Sequence, residues 1–272
     1  MEWFSSLEAW QQALFASLFT YGMTAFGAGL VFLFKKMNDG VLALMLGFAS
    51  GIMIAASFWS LLAPAIEMAD KNILPAWLVV ALGFGFGGLF LFIADKIIPH
   101  IHLGSENAEG LPSKLKRNIL LVFSITLHNI PEGLAIGVAF GAITQITDYT
   151  TAGLMGAISL TIGMGIQNFP EGAAVSIPLR ADGMSRKKSF FFGQLSGLVE
   201  PIAAVLGAIL VVHMTYMLPY ALAFAAGSMI YVVADELIPE AKQKKSNHSS
   251  HLAILGVMVG FIVMMVLDVA LG

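Results

Sequence analysis

Two six-residue segments of this chain hold side chains able to bind a metal ion: His128-Asn129-Ile130-Pro131-Glu132-Gly133 and Gln167-Asn168-Phe169-Pro170-Glu171-Gly172. On a helix, His128 and Glu132 are four residues apart and Asn129 and Glu132 three apart, so all three share one face. Gln167, Asn168 and Glu171 repeat the arrangement. Each proline lacks an N–H, which frees the carbonyl of Leu127 in one copy and of Ile166 in the other, and a glycine two residues later favours a kink there. Imidazole nitrogen and carboxylate oxygen are ligands for zinc and other first-row ions, while the amides of Asn and Gln bind weakly and exchange readily.

The elements that position these groups must cross a membrane. Of 272 residues 58% are hydrophobic and 11% charged, against about 25% charged for a soluble domain, too little to cover a water-facing surface. Mean hydropathy is +0.84. No cysteine is present, which excludes disulfides, thiolate nucleophiles and Cys-type zinc sites. A net charge of −3 gives no basic footprint for nucleic acid. The acidic start, Met1-Glu2-Trp3, does not read as a cleavable signal, so the first apolar run is expected to stay as a span.

Apolar runs long enough for a helix across a hydrocarbon layer of ~30 Å fall at 14–34, 41–66, 76–94, 119–143, 152–179, 190–212, 217–238 and 252–271. The expectation is an all-α membrane protein: one transmembrane domain over 1–272 with eight spans and no soluble domain. If both termini face outward, thirteen of the fourteen Lys and Arg lie in the inner loops and Lys71 alone lies outside. A miscounted span would move every later loop to the other side, so the bias supports the count and the orientation together. The stretch 97–116 reads as a mobile inner loop. The glycine-rich stretches 47–51 and 83–88 read as close helix packing.

Depth follows from counting. His128 lies eleven residues past Arg117, Glu171 nine before Arg180 and Glu200 twelve past Lys188, about 14–18 Å along a helix and near the midplane. Met53, thirteen residues past Gly40, falls at the same level. A lone intramembrane acid or imidazole could be a packing group satisfied by a neighbouring helix. A duplicated motif joined by a third acid points instead to a site, because carboxylates this deep are costly unless a cation offsets them. Adjacent spans are antiparallel, so the two copies must be related by an axis near the membrane plane, as in inverted-repeat transporters.

With these motifs the chain resembles the ZIP (Zrt-/Irt-like) divalent metal transporters of the GufA type, over nearly its whole length. The resemblance implies a 3+2+3 inverted-repeat bundle around a binuclear site between spans four and five. His128, Glu132, Gln167 and Glu171 would form one metal position and Asn129, Asn168 and Glu200 the second, with the two motif glutamates bridging. Met53 resembles the thioether ligand of that branch. Asn168 stands where some relatives have Asp, which lowers the charge of the second position.

The expected activity is entry of a divalent ion, zinc first with cadmium, iron and manganese also admitted, into the cytoplasm by alternating access; no catalytic cofactor is expected. Asp95 and Glu236, with Asp235, read as a cytoplasmic release site, against the plainer alternative of helix ends paired with Lys96 and Lys242. His100, His102, His248 and His251 read as solvated loop histidines. Glu67, Asp70 and Asp148 would draw cations to the outer side. An intramembrane metal-dependent hydrolase is the competing reading, disfavoured because no His-Glu-x-x-His is present; a metal-selective channel is a nearer variant. The expected partners are the ion, the bilayer of an inner or plasma membrane and, at most, a second copy in a homodimer.

Overall fold

The computed structural model describes every residue except 1, 70–73, 102–109, 113–116, 144–150, 214, 243–246 and 272. Asp70, His102 and Asp148 lie outside the described residues. Every regular element among those described is helical. After a short turn at Glu2–Ser5, eight long helices follow: α1 (Ala9–Phe32), α2 (Asp39–Ala69), α3 (Ala76–Ile97), α4 (Arg117–Ile143), α5 (Thr151–Ala181), α6 (Arg186–His213), α7 (Leu218–Lys242) and α8 (Asn247–Leu271). Six of them, all but α4 and α5, are long and apolar enough to cross a membrane by length and composition. The remaining two carry the polar motifs.

Local chemistry sets the helix starts. α1 begins at Ala9, five residues before the apolar run suggested, because the Glu8 N–H donates to Gln11 Oε1 at 3.0 Å and gives the first turn a polar cap. Asn38 caps α2, its Oδ1 accepting from the Gly40 N–H at 2.8 Å. Both α4 and α5 run helical through Pro131 and Pro170. Two helices contain a wider π-turn, Ser57–Leu62 in α2 and Val233–Leu237 in α7.

The helices pair closely as α1 with α5, α4 with α6, α2 with α8 and α3 with α7. α1 also packs on α4 and α6, and α4 on α5, so α1, α4, α5 and α6 form one group; α2, α3, α7 and α8 form the other. The groups meet where α5 touches α2 and α8 and where α4 touches α7. Glycines permit this closeness, as the stretches 47–51 and 83–88 suggested: Gly47 and Gly51 lie on the backbone of α8, and Gly83 and Gly87 on that of α7.

The motif glycines have the same role. A Cβ on Gly133 would collide with the backbone of Glu200 on α6, and one on Gly172 with the Thr24 carbonyl on α1. The final Gly of each motif therefore sets its helix against a partner helix, beyond the kink that its sequence suggests. Through Gly133, α4 brings its Glu132 beside the Glu200 turn.

Candidate metal site

Eight of the side chains singled out by their type and depth are almost fully buried. Met53, Glu132, Gln167, Asn168 and Glu200 show no exposure, Asn129 1%, Glu171 6% and His128 7%. Seven of these occupy α4, α5 and α6, and four of the seven, Glu132, Gln167, Asn168 and Glu200, are joined in one chain of hydrogen bonds. Gln167 Nε2 donates to Glu132 Oε1 at 2.6 Å and to Asn168 Oδ1 at 3.2 Å. Asn168 Nδ2 donates in turn to both oxygens of Glu200, at 2.9 and 2.8 Å. Asn129 Nδ2 donates to the Ser196 carbonyl at 2.9 Å, which fixes α4 to the 3₁₀ turn Ser196–Leu198 just before Glu200. Glu171 lies within electrostatic reach of Glu132, Glu200, Glu236 and Glu240.

The donors in this network are used and several acceptors are not. Glu132 Oε2, Gln167 Oε1 and Asn129 Oδ1 are buried without a hydrogen-bond partner. An orphaned buried acceptor costs about 1–3 kcal/mol. All three stand on the two motif helices, and a cation would offset their deficit.

The structure adds members that the sequence did not offer. Thr20, inside the apolar run of α1, donates its hydroxyl to Glu200 Oε2 at 2.6 Å. Glu236 of α7 joins the group as well: its Oε1 contacts His128 Nε2, so the imidazole faces α7. Glu240, one turn on, is 9% exposed and lies near Glu171. Glu236 is 4% exposed. Met53 is fully buried on α2, with its carbonyl accepting from Ser57 Oγ at 2.7 Å at the start of the π-turn.

A second cluster lies next to the first. One carboxylate oxygen each from Asp95, Asp235 and Glu236 fall within 4.8 Å of one another. Glu236 belongs to both groups. The lysine pairing considered for Asp95 is not what the structure shows: His100 Nε2 sits 2.9 Å from Asp95 Oδ1, and Lys96 lies over the Phe92 ring at 4.8 Å. Nor is His100 a solvated loop residue. It shows no exposure, and its Nδ1 lies 2.8 Å from the Ile98 carbonyl; a chain turning back after Pro99 folds the ring under α3. His251 is exposed, but it stands on α8 rather than in a loop.

Known proteins resemble this chain in sequence over most of its length. Residues 106–268 match the family described as ZIP zinc transporter. The chain is 42% identical to zinc transporter ZIP11 of Homo sapiens, with 96% of this chain and 97% of that protein covered. It is 36% identical to zinc transporter GufA of Myxococcus xanthus over 95% and 98% of the two chains. Zinc transporter ZIPB of Bordetella bronchiseptica is 37% identical over 93% of this chain and 79% of its own.

Proposed function

Since the chain belongs to the ZIP family of metal transporters, as a GufA-type, multi-pass membrane member and not an enzyme, we propose that its cargo is Zn²⁺, moved into the cytoplasm through the pocket between α4 and α5. The observation that carries this reading is the set of orphaned acceptors, Glu132 Oε2, Gln167 Oε1 and Asn129 Oδ1, one or more on each motif helix. A pocket of acceptors with no thiolate holds a divalent ion firmly enough to select it and weakly enough to release it. Cadmium, iron and manganese fit the same donor types. Uptake of ⁶⁵Zn into proteoliposomes, competed by each of the other ions in turn, tests the assignment; no zinc uptake would overturn it.

Two positions fit the pocket. His128, Glu132, Gln167 and Glu171 would hold one ion and Asn129, Asn168 and Glu200 the other, with Glu132 and Glu171 shared and Met53 offering a thioether from α2. The hydrogen bond from Asn168 to Glu200 marks the second position as the weaker, because an amide donor occupies carboxylate oxygens that an ion would use. Asn168→Asp removes that donor and adds a negative charge. Zinc affinity measured by calorimetry should rise about tenfold or more, each 1.4 kcal/mol being one decade; thermal stability without zinc should fall, since two carboxylates then face each other. Unchanged affinity would remove Asn168 from the ligand set.

The eight helices fit eight spans in a 3+2+3 inverted repeat with both termini outside. Exchanging α1 with α6, α2 with α7, α3 with α8 and α4 with α5 turns the pair α1·α5 into α6·α4 and the pair α2·α8 into α7·α3, which are the close pairs the fold contains. The π-turns of α2 and α7 exchange as well. The cluster of Asp95, Asp235 and Glu236 then lies on the cytoplasmic side as a release site. Asp95→Asn combined with Glu236→Gln should slow efflux of pre-bound zinc toward the cytoplasmic face more than it slows capture; stopped-flow with a zinc dye on that face separates the two, and an unchanged release rate would refute the exit. Residence in a plasma membrane and assembly as a homodimer complete the proposal.

A further inference from the structure

The inverted-repeat pairing is broken in one place. α8 packs on α5 as well as on α2, and the Ser159 hydroxyl of α5 donates to Asp268 Oδ1 of α8 at 3.0 Å. Under the exchange above, the counterpart is α3 against α4, and among the described residues no comparable packing is made there. In its place is a groove of about 570 Å³ between α3, α4, α6 and α7. That is within the roughly 300–1,000 Å³ range of sites for small molecules.

The walls of the groove define what fits it. Phe86 of α3, Leu134 of α4, Leu210 of α6, and Ala221 and Phe224 of α7 line it with Gly83 and Gly207, and no charged side chain does. Gly83 and Gly207 hold the walls close, since a Cβ on Gly83 would meet the Tyr220 carbonyl of α7 and one on Gly207 the Leu134 carbonyl of α4. The groove runs from Met217, in the turn joining α6 to α7, at least to Phe224, seven residues or about 10 Å along the helix axis. Phe86, Leu210 and Met217 are 59%, 57% and 47% exposed, so the groove is continuous with the outward apolar faces of α3 and α6, two helices able to cross a membrane. It opens sideways toward hydrocarbon. Apart from Tyr220 no lining side chain offers a polar ligand a partner, and an unfilled apolar cleft would forfeit dispersion contacts along both walls.

We infer that this groove is a binding site for one phospholipid acyl chain, inserted between the two helix groups and held more firmly than the lipid around the outer faces. The site is independent of the metal pocket, and no residue named as a possible ligand lines it.

The test uses the full chain reconstituted with a phosphatidylcholine bearing a diazirine midway along one acyl chain. After exchange into detergent, the sample is irradiated and the adducts are mapped. Adducts on the peptides of Leu134, Ala221 and Phe224 should survive the exchange at least about tenfold better than those on Leu255, Met258 and Val266, which are 56%, 56% and 53% exposed on α8; two additional buried methylenes give that factor. Ala221→Phe, filling the groove from one wall, and Leu134→Phe, filling it from the other, should lose the groove adducts and keep the α8 adducts. Equal retention at the two places in the wild-type chain would overturn the inference, and that comparison needs no variant to fold. Chain-to-chain crosslinks through the groove peptides would overturn it in favour of a second copy.

Discussion

Proteoliposomes carrying Glu132→Gln should take up no zinc above protein-free vesicles. The substitution keeps the volume of the side chain and an acceptor for the 2.6 Å hydrogen bond from Gln167 Nε2, and it removes the charge. What is lost is the attraction of a buried carboxylate for a dication in a medium of low dielectric constant. Breaking a buried charge pair costs about 3–5 kcal/mol, or roughly 10²–10³-fold in affinity. The same change should leave the melting temperature in the absence of zinc equal or higher, because an uncompensated buried charge has gone. Folded protein with uptake close to wild type would remove the central pocket from the transport path. Glu171→Ala and His128→Ala should be inactive for the same reason, although His128→Ala also strips Glu236 of its contact.

Gly172→Ala should lower the melting temperature by roughly 2–12 °C, and Gly172→Leu should leave little monodisperse protein. The first Cβ placed there meets the Thr24 carbonyl of α1. Backbone cannot swing aside as a long side chain does, so α1 and α5 must separate. Overpacking of this kind costs about 1–3 kcal/mol, and each kcal/mol is worth about 2–4 °C in a chain of such size. Gly133→Ala should behave alike against Glu200 on α6. Gly22→Ala is the control, since nothing lies within 4 Å of a Cβ there. Fluorescence-detected size exclusion across a heating series reads all of them, and an unaffected Gly172→Ala would mean that α1 and α5 are held by something other than this contact.

The helices were legible because lipid leaves few options: apolar runs of spanning length end where Lys, Arg, Asn and Pro begin. The motif residues were legible because they repeat, and the repeat made a shared pocket the economical reading. Three things were not. Thr20 sits among apolar neighbours without charge or motif, and only the folded neighbour Glu200 gives its hydroxyl a role. The π-turn Val233–Leu237 has neither Gly nor Pro to announce it, yet it lies where Asp235 and Glu236 approach Asp95 while Glu236 also meets His128. His100 was misjudged because the distance along the sequence from α3 does not reveal that the chain folds its ring back onto Asp95.

The contacts at Gly133 and Gly172 also constrain mechanics. Where two helices touch backbone to backbone, carbonyls and Cα atoms interlock with no side-chain layer between them to shear. α1 with α5, and α4 with α6, must then travel as units, as must α2 with α8 and α3 with α7. Any opening has to run along the seam between the two groups, where α5 faces α2 and α8 and α4 faces α7. That seam is stitched by His128 to Glu236 and by Ser159 to Asp268, side-chain contacts that can be undone and remade where interlocked backbones cannot. The final glycine of each motif thus determines which parts of the protein are stiff, and so along which line it is free to part.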